Sequence, residues 1–80
     1  MVQLINIEKT DEFISCEYIP EASEEKGYIK MDLQGNVIVK IPTSFDHDYL
    51  PEDYSSFAIR RLRKLLSVDS VPKESLVMWY

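Results

Sequence analysis

In this 80-residue chain, the stretch from Asp53 to Leu66 (DYSSFAIRRLRKLL) stands alone in reading as a long helix. Stepped at about 100° per residue, Tyr54, Ala58, Leu62, Leu65 and Leu66 fall in one arc, with Ile59 on its flank. Arg60, Arg63 and Lys64 fall on the opposite side, and Arg61 sits near the boundary. Phe57 lies beside Lys64, off the centre of the apolar arc, so it is expected at the rim of the core or exposed. Pro51 suits a first helical turn, where its missing N–H costs nothing. Glu52 and Asp53 place negative charge at the positive end of the helix dipole, and Arg60 to Lys64 place positive charge toward the other end. Alone, a helix of this length is marginal in water. Its leucine face must be packed on something the rest of the chain supplies.

The rest of the chain reads as strands. Val2 to Glu8 is expected to be the first, with Val2, Leu4 and Asn6 on one side and Gln3, Ile5 and Ile7 on the other. Phe13 to Ile19 is the second, its core side being Ile14, Cys16 and Tyr18. Tyr28 to Leu33 is the third, with Ile29, Met31 and Leu33 inward. Gln34-Gly35-Asn36 between two apolar runs is hairpin chemistry, and the primed two-residue turns that need positive φ are the expected type. Val37 to Ile41 is the fourth strand, stopped by Pro42. Leu76 to Tyr80 (LVMWY) is apolar to its last residue and is expected to return to the sheet as a fifth strand.

The expected fold is therefore α+β, a single small domain over residues 1–80. It is an antiparallel β-meander of four to five strands, ordered β-β-β-β-α-β, with one amphipathic helix packed on one face. A lone helix covers only one face. The other should carry Phe13, Tyr28, Val37, Val39 and Trp79, more apolar than a solvated face requires. That excess implies either a protein partner or self-association, or a strand whose inward and outward residues are the reverse of this assignment.

Composition removes whole classes of function. Apolar residues make up 45% of the chain, too many for a disordered tail. No apolar run approaches the ~18 residues of a membrane span, and residues 1–6 lack the basic start of a signal peptide. One cysteine, Cys16, excludes an internal disulfide and fits a reducing, cytoplasmic setting. There is no glycine-rich phosphate loop, G-x-S-x-G, H-E-x-x-H or calcium loop. No enzyme activity, cofactor or metal is expected.

Charge is the remaining signal. Residues 1–53 hold twelve acids against four bases, a balance of −8. Residues 54–80 hold two acids against five bases, a balance of +3. The acidic loop residues Glu21, Glu24 and Glu25, with Asp46 and Asp48, are candidates for meeting a basic protein partner, as in a small inhibitor or immunity-type protein. Their plainer reading is solubility. Arg60, Arg61, Arg63 and Lys64 are candidates for binding an acidic surface or nucleic acid, though a helix needs a polar outer face in any case. Overall acidity disfavours nucleic acid. Asp46-His47-Asp48 brings the one histidine to carboxylates, but neighbours on a loop seldom converge on one ion. A solvated loop is the expected state. Cys16 is expected to be an inert buried thiol.

Overall fold

A computed structural model describes residues 1–20, 24–44 and 54–77. Its elements run β1 (Val2–Lys9), β2 (Phe13–Pro20), β3 (Gly27–Asp32), β4 (Val37–Ile41), α1 (Tyr54–Leu65) and β5 (Ser75–Val77). The five strands form one antiparallel sheet in the order β4-β3-β2-β1-β5, and α1 packs on one face of it. The meander and the returning last strand are as the sequence leads one to expect. Trp79 and Tyr80 lie outside the described residues, so the described part of β5 is shorter than the run from Leu76 to Tyr80.

The β1–β2 and β3–β4 hairpins are each closed by a polar side chain. At the first, the Thr10 hydroxyl accepts from the backbone N–H groups of Glu12 and Phe13, and the Thr10 N–H donates to the Phe13 carbonyl. At the β3–β4 hairpin, the Asp32 carboxylate accepts from the N–H groups of Gln34 and Asn36, both at 2.9 Å. The Gly35 N–H donates to the Asp32 carbonyl, and the Asp32 N–H to the Asn36 carbonyl. This is a three-residue loop, Leu33-Gln34-Gly35, with Gly35 at φ +90°. The expected primed two-residue turn is corrected. Only one residue takes positive φ, and it follows the turn instead of sitting inside it.

A bulge changes the reading of β1. Ile5 pairs with Glu17 but Glu8 pairs with Ser15, so Asn6 and Ile7 together stand opposite Cys16. Asn6 takes φ +51°, a left-handed conformation that asparagine tolerates, and its side-chain amide donates to Glu17 at 2.7 Å. The extra residue turns Ile7 onto the helix side with Val2 and Leu4 and leaves Asn6 exposed. The uninterrupted alternation expected for this strand is wrong from Asn6 onward. A second irregularity, at Ile38 in β4, puts Val37 in register with Met31 on the helix side. Val37 was expected on the other face with Val39.

The core is one layer between sheet and helix. Val2, Leu4, Ile14, Tyr18, Ile29 and Met31 are fully buried beneath Ala58 and Leu62, with Cys16, Ile7, Leu65 and Val77 nearly so. Tyr54, Phe57, Ile59 and Leu66 pack around it, which places Phe57 at the rim. Ser55, not expected inside, is fully buried. Small residues at 55 and 58 let this half of the helix lie close to the sheet. Burial of about ten apolar side chains at roughly 1.5–3 kcal/mol each is the main term holding α1 in place.

The end of the helix is capped by the turn that follows it and by two side chains. The N–H of Leu66 donates to Arg63 and that of Val68 to Leu65. The Ser67 hydroxyl donates to Lys64, and Lys9 Nζ donates to Leu66 and Val68. The carbonyls of Arg63, Lys64, Leu65, Leu66 and Val68 are thereby met. Among the described residues, no buried side-chain nitrogen or oxygen lacks a hydrogen-bond partner.

Candidate interaction surfaces

The face of the sheet turned away from α1 is ordered in rows by the strand register. One row runs Ile5, Glu17, Tyr28, Ile41 from β1 to β4. The next runs Glu8, Ser15, Lys30, Val39. Cross-strand partners share a face, so these side chains lie side by side. Along β2, Glu17 and Ser15 make a polar spine. Apolar groups flank it: Tyr28, Val39 and Ile41 toward β4, and Ile5 and Leu76 toward β5, with Ile19 further along β2 itself and Gln3 standing between Ile19 and Leu76. Ile41 is 56% exposed and Leu76 51%. Phe13, also on this face, lies under the Lys30 ammonium, 4.2 Å from the ring centroid. The expected apolar excess is therefore split into two flanks instead of forming a single patch, and Val37 does not contribute to it.

The β4 edge is a second surface. Val37, Ile38 and Ile41 account for half of the six large hydrophobic residues exposed among the described residues. Lys40 is the only charge on this strand.

The charged candidates separate on inspection. Glu24 is exposed. Glu25 holds Ser44, accepting from its N–H at 2.9 Å and from its hydroxyl at 2.6 Å, which ties the start of β3 to the chain beyond β4. Glu21, Asp46 and Asp48 lie outside the described residues, as do His47, Glu52 and Asp53. On the helix, Arg63 Nε donates to the Gly35 carbonyl at 3.1 Å and so joins α1 to the β3–β4 turn. The Arg60 guanidinium stacks over Phe57, 5.3 Å from the ring centroid. Lys64 is exposed and Arg61 half-buried. Two of the four basic side chains thus have roles within the fold, and the set does not form one convergent cluster.

No chemistry-bearing cluster emerges from the described residues. None of their His, Cys, Asp and Glu groups could together hold a metal ion. Cys16 is buried, and burial, with the Glu17 carboxylate adding to it, pushes its thiol from an ordinary 9.0 up to about 12. A thiol so placed carries almost no thiolate at neutral pH and is a poor nucleophile. Among the described residues no helix is long and apolar enough to cross a membrane.

Comparison of the chain with protein-family models, with curated proteins and with solved structures finds no match. Function must be argued from these surfaces. Two features that bear on it were not legible in the sequence. The role of Glu25 depends on Ser44, 19 residues away, and that of Arg63 on a carbonyl 28 residues away. Side-chain type alone carries no sign of either contact.

Proposed function

We propose that this domain is a non-enzymatic protein-binding module that engages a partner through the sheet face opposite α1. The observation that carries the reading is the pair of apolar flanks on that face, which no described element covers. The strong acidity of residues 1–53 favours a partner with positive charge, as for a small inhibitor or immunity-type protein acting in a reducing compartment. In that role Glu24 and the acidic residues Glu21, Asp46 and Asp48 steer the encounter, and the apolar flanks hold the complex. Glu25 is a weaker candidate for contact because Ser44 already occupies its carboxylate.

The test compares capture by the tagged protein and by a variant carrying Ile5→Lys and Leu76→Lys, with and without nuclease. A stoichiometric protein held by the native chain, lost by the variant and indifferent to nuclease supports the reading. Equal capture by both removes this face from the account. Capture that nuclease abolishes and salt weakens steeply transfers the function to Arg60, Arg61, Arg63 and Lys64 as a nucleic-acid site. Charge reversal at Glu21 and Glu24 then separates steering from contact: slower association with little change in dissociation is expected.

A further inference from the structure

We infer that the arm from Leu33 to Ser44, which carries β4, is a releasable strap: it opens from β3 as a unit while the rest of the domain stays folded. The inference does not depend on what any surface of the protein binds.

Burial is the first argument. Four of the five residues of β4 are exposed, and the fifth, Val39, is half-buried. None of them belongs to the core, and α1 rests on β1, β2, β3 and β5. Within residues 33–44 only Thr43 is buried, and it brings little apolar surface. Ile29 and Met31, the core residues of β3, are held from the other side by Cys16 and Ile14 of β2 and by the helix. A segment that buries so little apolar surface gains little from staying in place. Its ladder is also short and interrupted. Tyr28, Ile29 and Lys30 pair with Ile41, Lys40 and Val39, and the register shifts before Met31 meets Val37.

The fastenings are the second argument. At the turn, the Asp32 carboxylate accepts from the Asn36 N–H and, at 3.2 Å, from the Asn36 side-chain amide, while Arg63 Nε donates to the Gly35 carbonyl. At the far end, Glu25 accepts from the N–H and hydroxyl of Ser44. All of these bonds are exposed, so water replaces them at small net cost. A strand fastened at both ends does not fray from a tip; it lets go as a unit once a fastening yields. Opening leaves Tyr28 to Met31 without a strand partner on that side. It also takes Val39 and Ile41 off the open face, so that only the flank of Ile5 and Leu76 belongs to the part that stays closed.

Native-state hydrogen exchange on the purified chain, read amide by amide by NMR at low urea, tests it. Amides bonded between β3 and β4 should share one protection factor, about tenfold or more below that of the β1–β2 and β2–β3 ladders, with a weaker dependence on urea. Glu25→Ala should speed exchange along the whole β3–β4 ladder, including the Val37 end remote from it, and Asp32→Ala should do the same, including the Ile41 end. Lys9→Met weakens the helix end, which stays in place when the arm opens. It should therefore speed exchange in the β1–β2 and β2–β3 ladders about fivefold or more and leave the β3–β4 ladder unchanged. Circular dichroism on each variant checks the fold, and the urea dependence is read on the native chain alone. A β3–β4 ladder with the protection and urea dependence of the other two overturns the inference. So does one whose amides open singly from an end, or one that Lys9→Met weakens along with the rest.

Discussion

Lys9 Nζ donates to the Leu66 carbonyl at 2.8 Å, so the last residue of β1 caps the end of a helix 57 residues further along the chain. The same ammonium reaches Val68 at 3.0 Å. A cation at this position meets both the unsatisfied carbonyls and the negative end of the helix dipole. Lys9→Met keeps the aliphatic stem and removes the donors. It should cost about 1–2 kcal/mol in chemical denaturation. Lys64→Met, on the exposed helix side, should cost about 0.5 kcal/mol or less. Equal effects would mean the ammonium of Lys9 stabilises nothing.

Gly27 is required by its cross-strand partner. It stands opposite Tyr18, whose buried ring lies over the glycine backbone. A Cβ at position 27 would run into Cζ, Cε1 and Oη of that ring. Gly27→Ala should therefore destabilise by about 1–3 kcal/mol, although alanine is ordinarily the better residue inside a strand. In a Tyr18→Leu background the same substitution should be neutral or stabilising. The double-mutant cycle, read by urea denaturation, would show a coupling of about 1 kcal/mol or more. An additive result would mean the ring moves aside freely.

What the sequence revealed follows from which signals are local. Ile14, Cys16 and Tyr18, and Ile29 and Met31, alternate without interruption, and all five are buried on the helix side. Ala58, Leu62 and Leu65 follow the helical period, and they too are inside. The pattern broke where the chain inserts a residue. Nothing in Val2 to Lys9 marks Asn6 as the left-handed residue of a bulge, yet that residue decides which side Ile7 faces. The bonds of Lys9, Glu25 and Arg63 join residues distant in sequence and leave no periodic trace. For function, composition and charge pointed to surfaces, not to a reaction centre. Which of those charges are already engaged could be learned only from the fold.

The Asp32 carboxyl sits below the usual carboxylate range, first because the Asn36 N–H bonds to it, with the Gln34 and Gly35 N–H groups and the Asn36 side-chain amide adding to this. A carboxyl depressed on folding stabilises the folded state above its unfolded value of 3.8, and that contribution is lost as pH falls through the lower folded value. Asp32→Asn keeps an acceptor in the turn but removes the titration. Thermal midpoints of the two proteins should differ most near neutral pH and converge as the medium becomes strongly acidic. A constant gap between them across the acid range would show that the turn does not depend on the ionised form.

Cys16 titrates in the opposite sense. Its thiol is pushed up to about 12 from an ordinary 9.0, chiefly by burial and further by Glu17. Above 9.0 the unfolded chain releases this proton while the folded chain retains it until about 12. The unfolded state is favoured across that interval, so stability falls as pH rises, by at most about 1.4 kcal/mol per pH unit from this one group. Cys16→Ala should show a shallower alkaline decline than the native protein, even though the smaller side chain lowers its stability at neutral pH. Alkylation gives an independent reading. At mildly alkaline pH the native thiol should react with iodoacetamide far more slowly than the same thiol in denaturant, at a rate set by the population of opened molecules. Rapid native labelling at a rate that does not follow stability would place Cys16 at the surface, and the helix would then have to pack on a different side of β2.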